Sequence, residues 1–159
     1  MDINTQGIRG EQLMLYVYTG DTSGNSKVIA FGTSVSINTE QETLSSSSKM
    51  SCRWASNLAG TVSYTVDSDS LYTQATGACS YDTLMAALID GDAINWIVGQ
   101  AQDESNVDCE ARTYALDASK PHYAGKGIIT SLSLTAGTDE MAQCSMTITG
   151  TGEIKALPS

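Results

Sequence analysis

Three stretches of this chain alternate apolar and polar residues almost without error. Val62, Tyr64 and Val66 interleave with Thr61, Ser63 and Thr65, and Ala142, Cys144, Met146 and Ile148 with Gln143, Ser145, Thr147 and Thr149. Ile128, Leu132 and Leu134 hold the parity opposite to Ser131, Ser133 and Thr135, with Ile129 the one exception. Successive strand side chains point to opposite faces, so this period describes strands with one face in a core and the other outside it. The outer face is Ser and Thr where Lys and Glu would be usual. Such a hydroxyl-rich, lightly charged face suits lateral packing or a wet lumen better than catalysis.

The rest of the chain reads in the same terms. Gln12 to Thr19 is a strand with Leu13, Leu15 and Val17 on one face and Met14, Tyr16 and Tyr18 on the other, which implies burial on both sides. The cluster Gly20 to Asn25 is a turn, and Lys27 to Asn38 a second strand that Gly32 kinks or bulges. Tyr81 to Asp90 is the one convincing helix, with Leu84/Leu88 and Met85/Ile89 at i, i+4, Ser80 or Asp82 as cap and Gly91 as stop. Ala93 to Val98 and Asp108 to Ala115 read as strands around a turn at 103–106, and Tyr123 to Thr135 and Glu140 to Gly150 as a closing pair. The expected fold is mainly β: an antiparallel β-sandwich or barrel of seven or eight strands with one flanking α-helix at about residues 81–90. The 159 residues suit a single domain, with an N-terminal arm at 1–11, a long loop at 39–59 and a short tail at 152–159. That loop is polar, holds the run Ser45 to Ser48, and still includes Trp54 and Leu58. A Trp in such a loop implies docking on its own domain or on another copy.

Formal charge is −10, from 18 acidic and 8 basic residues, and the basic ones are scattered. Phosphate-neutralising nucleic-acid binding needs them clustered. The acidity fits solubility, and equally a surface that must not hold a polyanion; composition does not choose. The longest apolar runs, such as Leu84 to Ile89, are too short to span a bilayer. Met1 to Asn4 has neither the basic nor the apolar region of a secretory signal, which points to synthesis inside the cell. Cys52, Cys79, Cys109 and Cys144 lie far apart with no CxxC pair and one histidine in the chain, so no metal site is expected. Cys144 has the apolar parity of its strand and reads as a reduced core residue. A disulfide among the other three stays open.

Motifs with catalytic associations dissolve on inspection. Gly20-Asp21-Thr22-Ser23-Gly24 has the form of a serine-protease nucleophile segment, but His122 fits no triad order and the segment reads as a turn. Asp67-Ser68-Asp69-Ser70 begins like a calcium loop, yet Tyr72 stands where its glycine belongs and Ala78 where its closing Glu belongs. His122 has no companion for base or metal chemistry and reads as a surface residue. Trp96, inside an apolar strand, reads as core. Neither a cofactor nor catalysis is expected.

From Ile29 to Tyr72, a strand ending Ile29-Ala30-Phe31-Gly32-Thr33-Ser34 leads into Val35 to Thr43, a Ser-rich segment with Lys49, Trp54 ahead of Leu58-Ala59-Gly60, and a strand closing at Ser68 to Tyr72. This order of parts resembles the phage major tail tube protein family, of the long, non-contractile tail type. The tail of the chain agrees: Tyr123-Ala124-Gly125-Lys126-Gly127-Ile128, then Ser145 to Gly150 followed by Thr151-Gly152. Cys52 and Arg53 before the tryptophan depart from the acidic or small polar residues expected there.

The resemblance implies a structural virion protein without enzymatic activity, made in the bacterial host cytoplasm and located in the tail. Its copies would form hexameric rings that stack into a tube, neighbouring sheets joining into one inner barrel. DNA would pass through the lumen on ejection without specific binding, and no membrane would be involved. Further partners would be the tape measure, the tail terminator and the baseplate or distal tail protein. The long loop would reach another subunit or ring, with Glu40, Glu42, Ser47, Lys49, Arg53, Trp54 and Leu58 as contact candidates. The alternatives are the inner tube of a contractile tail or injection system, which shares the architecture, and a carbohydrate- or surface-binding β-sandwich, which would be a stable monomer.

Overall fold

The alternating stretches are strands, and most run longer than their apolar pattern. The computed structural model describes residues 10–19, 27–29, 32–50, 54–72, 81–102 and 114–157. After a single 3-10 turn at Gly10–Gln12 come β1 (Leu13–Tyr18), β2 (Lys27–Val28), β3 (Gly32–Ser45), β4 (Asn57–Leu71), α1 (Tyr81–Asp90), β5 (Ile94–Gln100), β6 (His122–Thr135), β7 (Gln143–Gly150) and β8 (Lys155–Leu157). All described pairings are antiparallel and build one open sheet in the order β2-β1-β5-β6-β7-β4-β3, with β8 on β6. The mainly antiparallel β fold with one helix is as the sequence reads. The turn at 20–25, Ser80, the turn at 103–106 and most of the strand expected at 108–115 lie outside the described residues.

β6 makes one sheet into two layers. Its first half pairs with β5 through Tyr123 to Gly127, and its second half with β7 through Gly127 to Thr135. β8 continues along the β7 side, setting Leu157 opposite His122. Between the layers lies the core: Leu15 and Val17 of β1, Tyr64 and Val66 of β4, Ile94, Trp96 and Val98 of β5, Ile129 of β6, and Met146 and Ile148 of β7. Trp96 is fully buried. Its indole meets Tyr64 edge to face, ring centroids 5.6 Å apart at 65°, the offset geometry that the ring quadrupoles favour. The Tyr64 hydroxyl donates to the Lys126 carbonyl at 2.7 Å. That position requires Gly150, where any Cβ would fall inside the Tyr64 ring.

α1 lays Leu84, Ala87 and Leu88 on this core and leaves Ile89 exposed. It ends as the sequence dictates: Gly91 has φ 69°, Gly91 N–H donates to Leu88 O at 3.3 Å and Asp92 N–H to Ala87 O at 3.2 Å. This pair of bonds is a Schellman cap.

β1 is buried on both faces, as its composition implies: Leu15, Tyr16 and Val17 are all inaccessible. The kink expected at Gly32 divides two strands, β2 on β1 and β3 on β4. His122, expected at the surface, is buried at the entry to β6 with Nδ1 2.9 Å from the Lys120 carbonyl. Cys144 is buried and reduced, and burial pushes its thiol pKa up. Cys52, Cys79 and Cys109 lie outside the described residues.

The largest departure is the loop at 39–59. β3 continues to Ser45 and β4 begins at Asn57, so only 46–56 connects them. The two strands form an arm whose residues beyond Gln41 and Val62 are exposed, apart from half-buried Gly60. Apolar–polar alternation marks a strand only where one face is buried, and this arm buries neither within its own subunit.

Candidate functional site

Two features of the fold offer themselves to a partner. The first is the outer face of β3, β4, β7 and β6. Register places Ser34, Asp69, Ser145 and Ser133 in one row across the four strands, Ser36, Asp67, Thr147 and Ser131 in the next, and Asn38, Thr65, Thr149 and Ile128 in a third. Glu40 opposite Ser63 continues it toward the arm. Every one of these residues is exposed or half-buried. Hydroxyls and amides dominate, and the charges within these rows are all negative.

The two aspartates tie this face together. Asp69 Oδ2 accepts from Ser34 at 3.0 Å and Oδ1 from Ser145 at 2.7 Å, one donor from each neighbouring strand. Asp67 repeats the arrangement, with Asn38 Nδ2 at 3.1 Å and Thr147 at 2.7 Å. Thr130, at an irregularity of β6, lies 3.0 Å from Thr149 by hydroxyl to hydroxyl. What reads in sequence as the start of a calcium loop is therefore a strand with two carboxylates on one face, each bridging both neighbours. Among the described residues no group of three or more His, Cys, Asp or Glu is placed to hold a metal.

This face has two open edges. β3 ends the sheet, and no described strand pairs with its outer side. β6 loses β5 beyond Gly127, so residues 128–135 pair with β7 alone among the described strands. Unpaired strand edges are templates for further pairing.

The second feature is the arm. Leu44 and Leu58 stand directly opposite one another, and Met50 and Trp54 are 91% and 84% exposed. The serine run has a local task at its end: Ser46 N–H donates to Ser56 O at 2.8 Å, Ser46 and Ser56 hydroxyls lie 2.7 Å apart, and Ser56 N–H donates to Ser47 Oγ at 2.9 Å. Apolar side chains exposed together on a projection make it a candidate interaction surface.

A sequence model of the family described as phage tail tube protein matches residues 7–156. The chain belongs to the phage tail tube protein family. Solved structures with this fold include one from the virion of a native gene transfer agent particle, 15% identical over 94% of this chain and 98% of that one, with TM-score 0.69. The SPP1 tail tube is 13% identical over 94% of this chain and 78% of its own, also at 0.69. A chain in the structure of an extracellular contractile injection system's sheath/tube terminator in the extended state is 12% identical over 94% of this chain and 96% of that one, at 0.60. Among curated protein sequences none matches.

For a tail tube protein, the contact candidates divide clearly. Ser47, Lys49, Trp54 and Leu58 lie in the arm or its end, Glu40 on the hydroxyl face, and Glu42 at the register shift of β3 where it crosses Gly60. Arg53 lies outside the described residues. Sequence reasoning missed the roles of Asp67 and Asp69 and the two free edges.

Proposed function

We propose that this tail tube subunit lines its channel with the outer face of β3, β4, β7 and β6, and that copies join edge to edge into rings of six that stack. The observation that carries this reading is the coincidence of an uncharged-to-negative face with two unpaired edges on the same four strands. Pairing β3 of one copy with residues 128–135 of the next would remove both edges by closure. The joined faces would present hydroxyls and carboxylates to passing DNA. Like charge keeps a polyanion from adhering while hydroxyls exchange hydrogen bonds with water readily. Six-fold order is supported by the similar gene transfer agent tail, solved with C6 symmetry.

The arm, through Ser47, Lys49, Arg53, Trp54 and Leu58, is the contact to another copy, with Glu40 and Glu42 at its root. Tape measure, terminator and baseplate proteins would meet the ends of the tube. The reading is structural and assigns no chemistry to the chain. The inner tube of a contractile injection system is the second reading, supported by likeness to the baseplate and tube cap of the anti-feeding prophage at TM-scores of 0.59 and 0.58.

Negative-stain electron microscopy of the concentrated protein, with its solution mass, tests the proposal. Rings or tubes with a central hole and a mass of six copies are expected. A monomer at every concentration that binds glycans would replace this reading with a surface-binding module.

A further inference from the structure

β6 passes from one layer to the other at Gly127, and the crossing is held at one atom. The Lys126 carbonyl accepts the Tyr64 hydroxyl at 2.7 Å, the Thr151 N–H at 2.7 Å and, more loosely, the Thr151 hydroxyl at 3.3 Å. Tyr64 reaches it from β4 through the core, and Thr151 directly follows β7. The partners of β6 change at the same place on both of its sides. Ile94, opposite Gly127, is the first residue of β5. Beyond Gly150 the chain leaves β7, turns at Gly152 with φ 88° and rejoins β6 as β8. The crossing also leaves no room for side chains. A Cβ at Gly125 would stand 2.8 Å from the Tyr64 hydroxyl and 2.7 Å from the Trp96 indole, and one at Gly127 2.6 Å from both Ile148 and Thr149 O. At a contact this close, only one angle between the two halves of β6 keeps every bond without overlap.

That angle sets how residues 128–135 are presented to a neighbour. A head-to-tail joint closes into a ring only if its repeated rotation completes a whole turn. Six copies turn the wall by about 60° each, and about 9° less at every joint would close with seven. We propose that Tyr64 and Thr151 are positioning residues for ring closure: through the Lys126 carbonyl they fix the pose of the 128–135 edge and thereby the number of copies in the ring. Tyr64 acts here through its hydroxyl alone, because its ring is already held by Trp96 and by the space at Gly150. This role rests on the tube reading and adds to it what selects the ring size.

Three variants of the full chain test it. Tyr64→Phe removes one short bond and keeps the ring, and Thr151→Pro removes the other from outside the core. Val17→Ala, a core truncation on β1, loses stability without touching the Lys126 carbonyl. Native mass spectrometry of rings and electron microscopy of tubes read the number of copies. Wild type and Val17→Ala should give one ring size, whereas Tyr64→Phe and Thr151→Pro should each place at least about a third of the rings at another size. A single, wild-type ring size in both clasp variants overturns the positioning role and leaves the tube reading intact. A mixture equally broad in Val17→Ala overturns it too, since lost stability would then be the cause. A wild type that stays monomeric at every concentration overturns the tube reading instead. Hydrogen–deuterium exchange of the monomers then decides the positioning, as it does for any variant that does not assemble. Amides of residues 126–131 should exchange at least about fivefold faster in Tyr64→Phe and Thr151→Pro than in Val17→Ala, and equal rates overturn the role.

Discussion

Asp67 and Asp69 carry two separable properties, a negative charge and a set of acceptors. Each holds one donor from β3 and one from β7, so removing the side chain loosens three strands together. Asp67→Ala is predicted to cost ~1–2 kcal/mol by denaturant unfolding, the range for two partly solvated bonds to a charged acceptor. Asp67→Asn keeps one carbonyl acceptor, and hydroxyl or amide partners can reorient to meet its amide, so less than half that loss is expected. Equal losses for Ala and Asn would mean that charge, not bonding, holds the strands. Gly150 is a different kind of constraint. A methyl there enters the space of the Tyr64 ring, which Trp96 and the Lys126 carbonyl fix in place; Gly150→Ala is predicted to destabilise by ~2 kcal/mol or more. Recovery of that loss in a Gly150→Ala, Tyr64→Ala background would identify the clash as its cause. Tyr16 gives the chain an alkaline limit. Burial pushes its hydroxyl pKa up to about 12 from 10.0, so the unfolded chain releases this proton first. Stability from this group is whole below pH ~10 and is lost as pH rises toward ~12. Tyr16→Phe should flatten that slope in thermal unfolding measured across the same interval; an unchanged slope would assign it elsewhere.

At the scale of elements, the arm is the part whose stability and function separate most cleanly. Its strands beyond the register shift at Gln41 and Thr43 bury almost nothing within the subunit. Replacing residues 46–56 by a two-residue Asn-Gly turn between Ser45 and Asn57 should therefore change unfolding free energy by no more than ~0.5 kcal/mol, yet abolish stacking. Tubes of normal length from this variant would remove the arm from the interface. The same isolation explains why the sequence shows a loop here. Thr39 to Ser45 and Asn57 to Ala59 have no buried face in this subunit, so no alternation was there to read, although the cost of exposing Trp54 and Leu58 did mark the segment as a contact candidate. The core strands were legible because Tyr64, Val66, Met146 and Ile148 each needed the inner face. Asp67 and Asp69 escaped for the converse reason: Ser68 and Ser70 occupy inner positions, which breaks the apolar parity where β4 continues. The free edges of β3 and β6 depend on which strands pair across the whole chain, information that no local window contains.

For the whole molecule, the decisive quantity is the charge a channel would show to DNA. Glu40 sits with Asp67 and Asp69 on the face proposed to line it, and Glu42 at its margin beside Gly60. The aspartates hold the wall together, so replacing them by Lys would confuse a broken sheet with an altered field. Glu40 and Glu42 are the better probes, since they lie where β3 leaves the core and their side chains are exposed. In a ring of six, Glu40→Lys with Glu42→Lys exchanges twelve negative charges for twelve positive ones at one level of the channel. Lysines at a lumen wall attract phosphates and release counter-ions, as any basic DNA-binding surface does. Particles assembled from the double variant should therefore form tubes of normal length but eject DNA several-fold more slowly. The deficit should shrink as added salt shortens the screening length from about 10 Å at 0.1 M to about 3 Å at 1 M. Asp67→Asn with Asp69→Asn, which removes charge and keeps most of the bonding, should leave ejection close to normal, because uncharged hydroxyls and amides neutralise no phosphates and release no counter-ions. Slow ejection from the Asn pair would show that repulsion, and not merely the absence of attraction, keeps DNA moving. Unchanged kinetics in the Lys variant at low salt would remove this face from the lumen altogether.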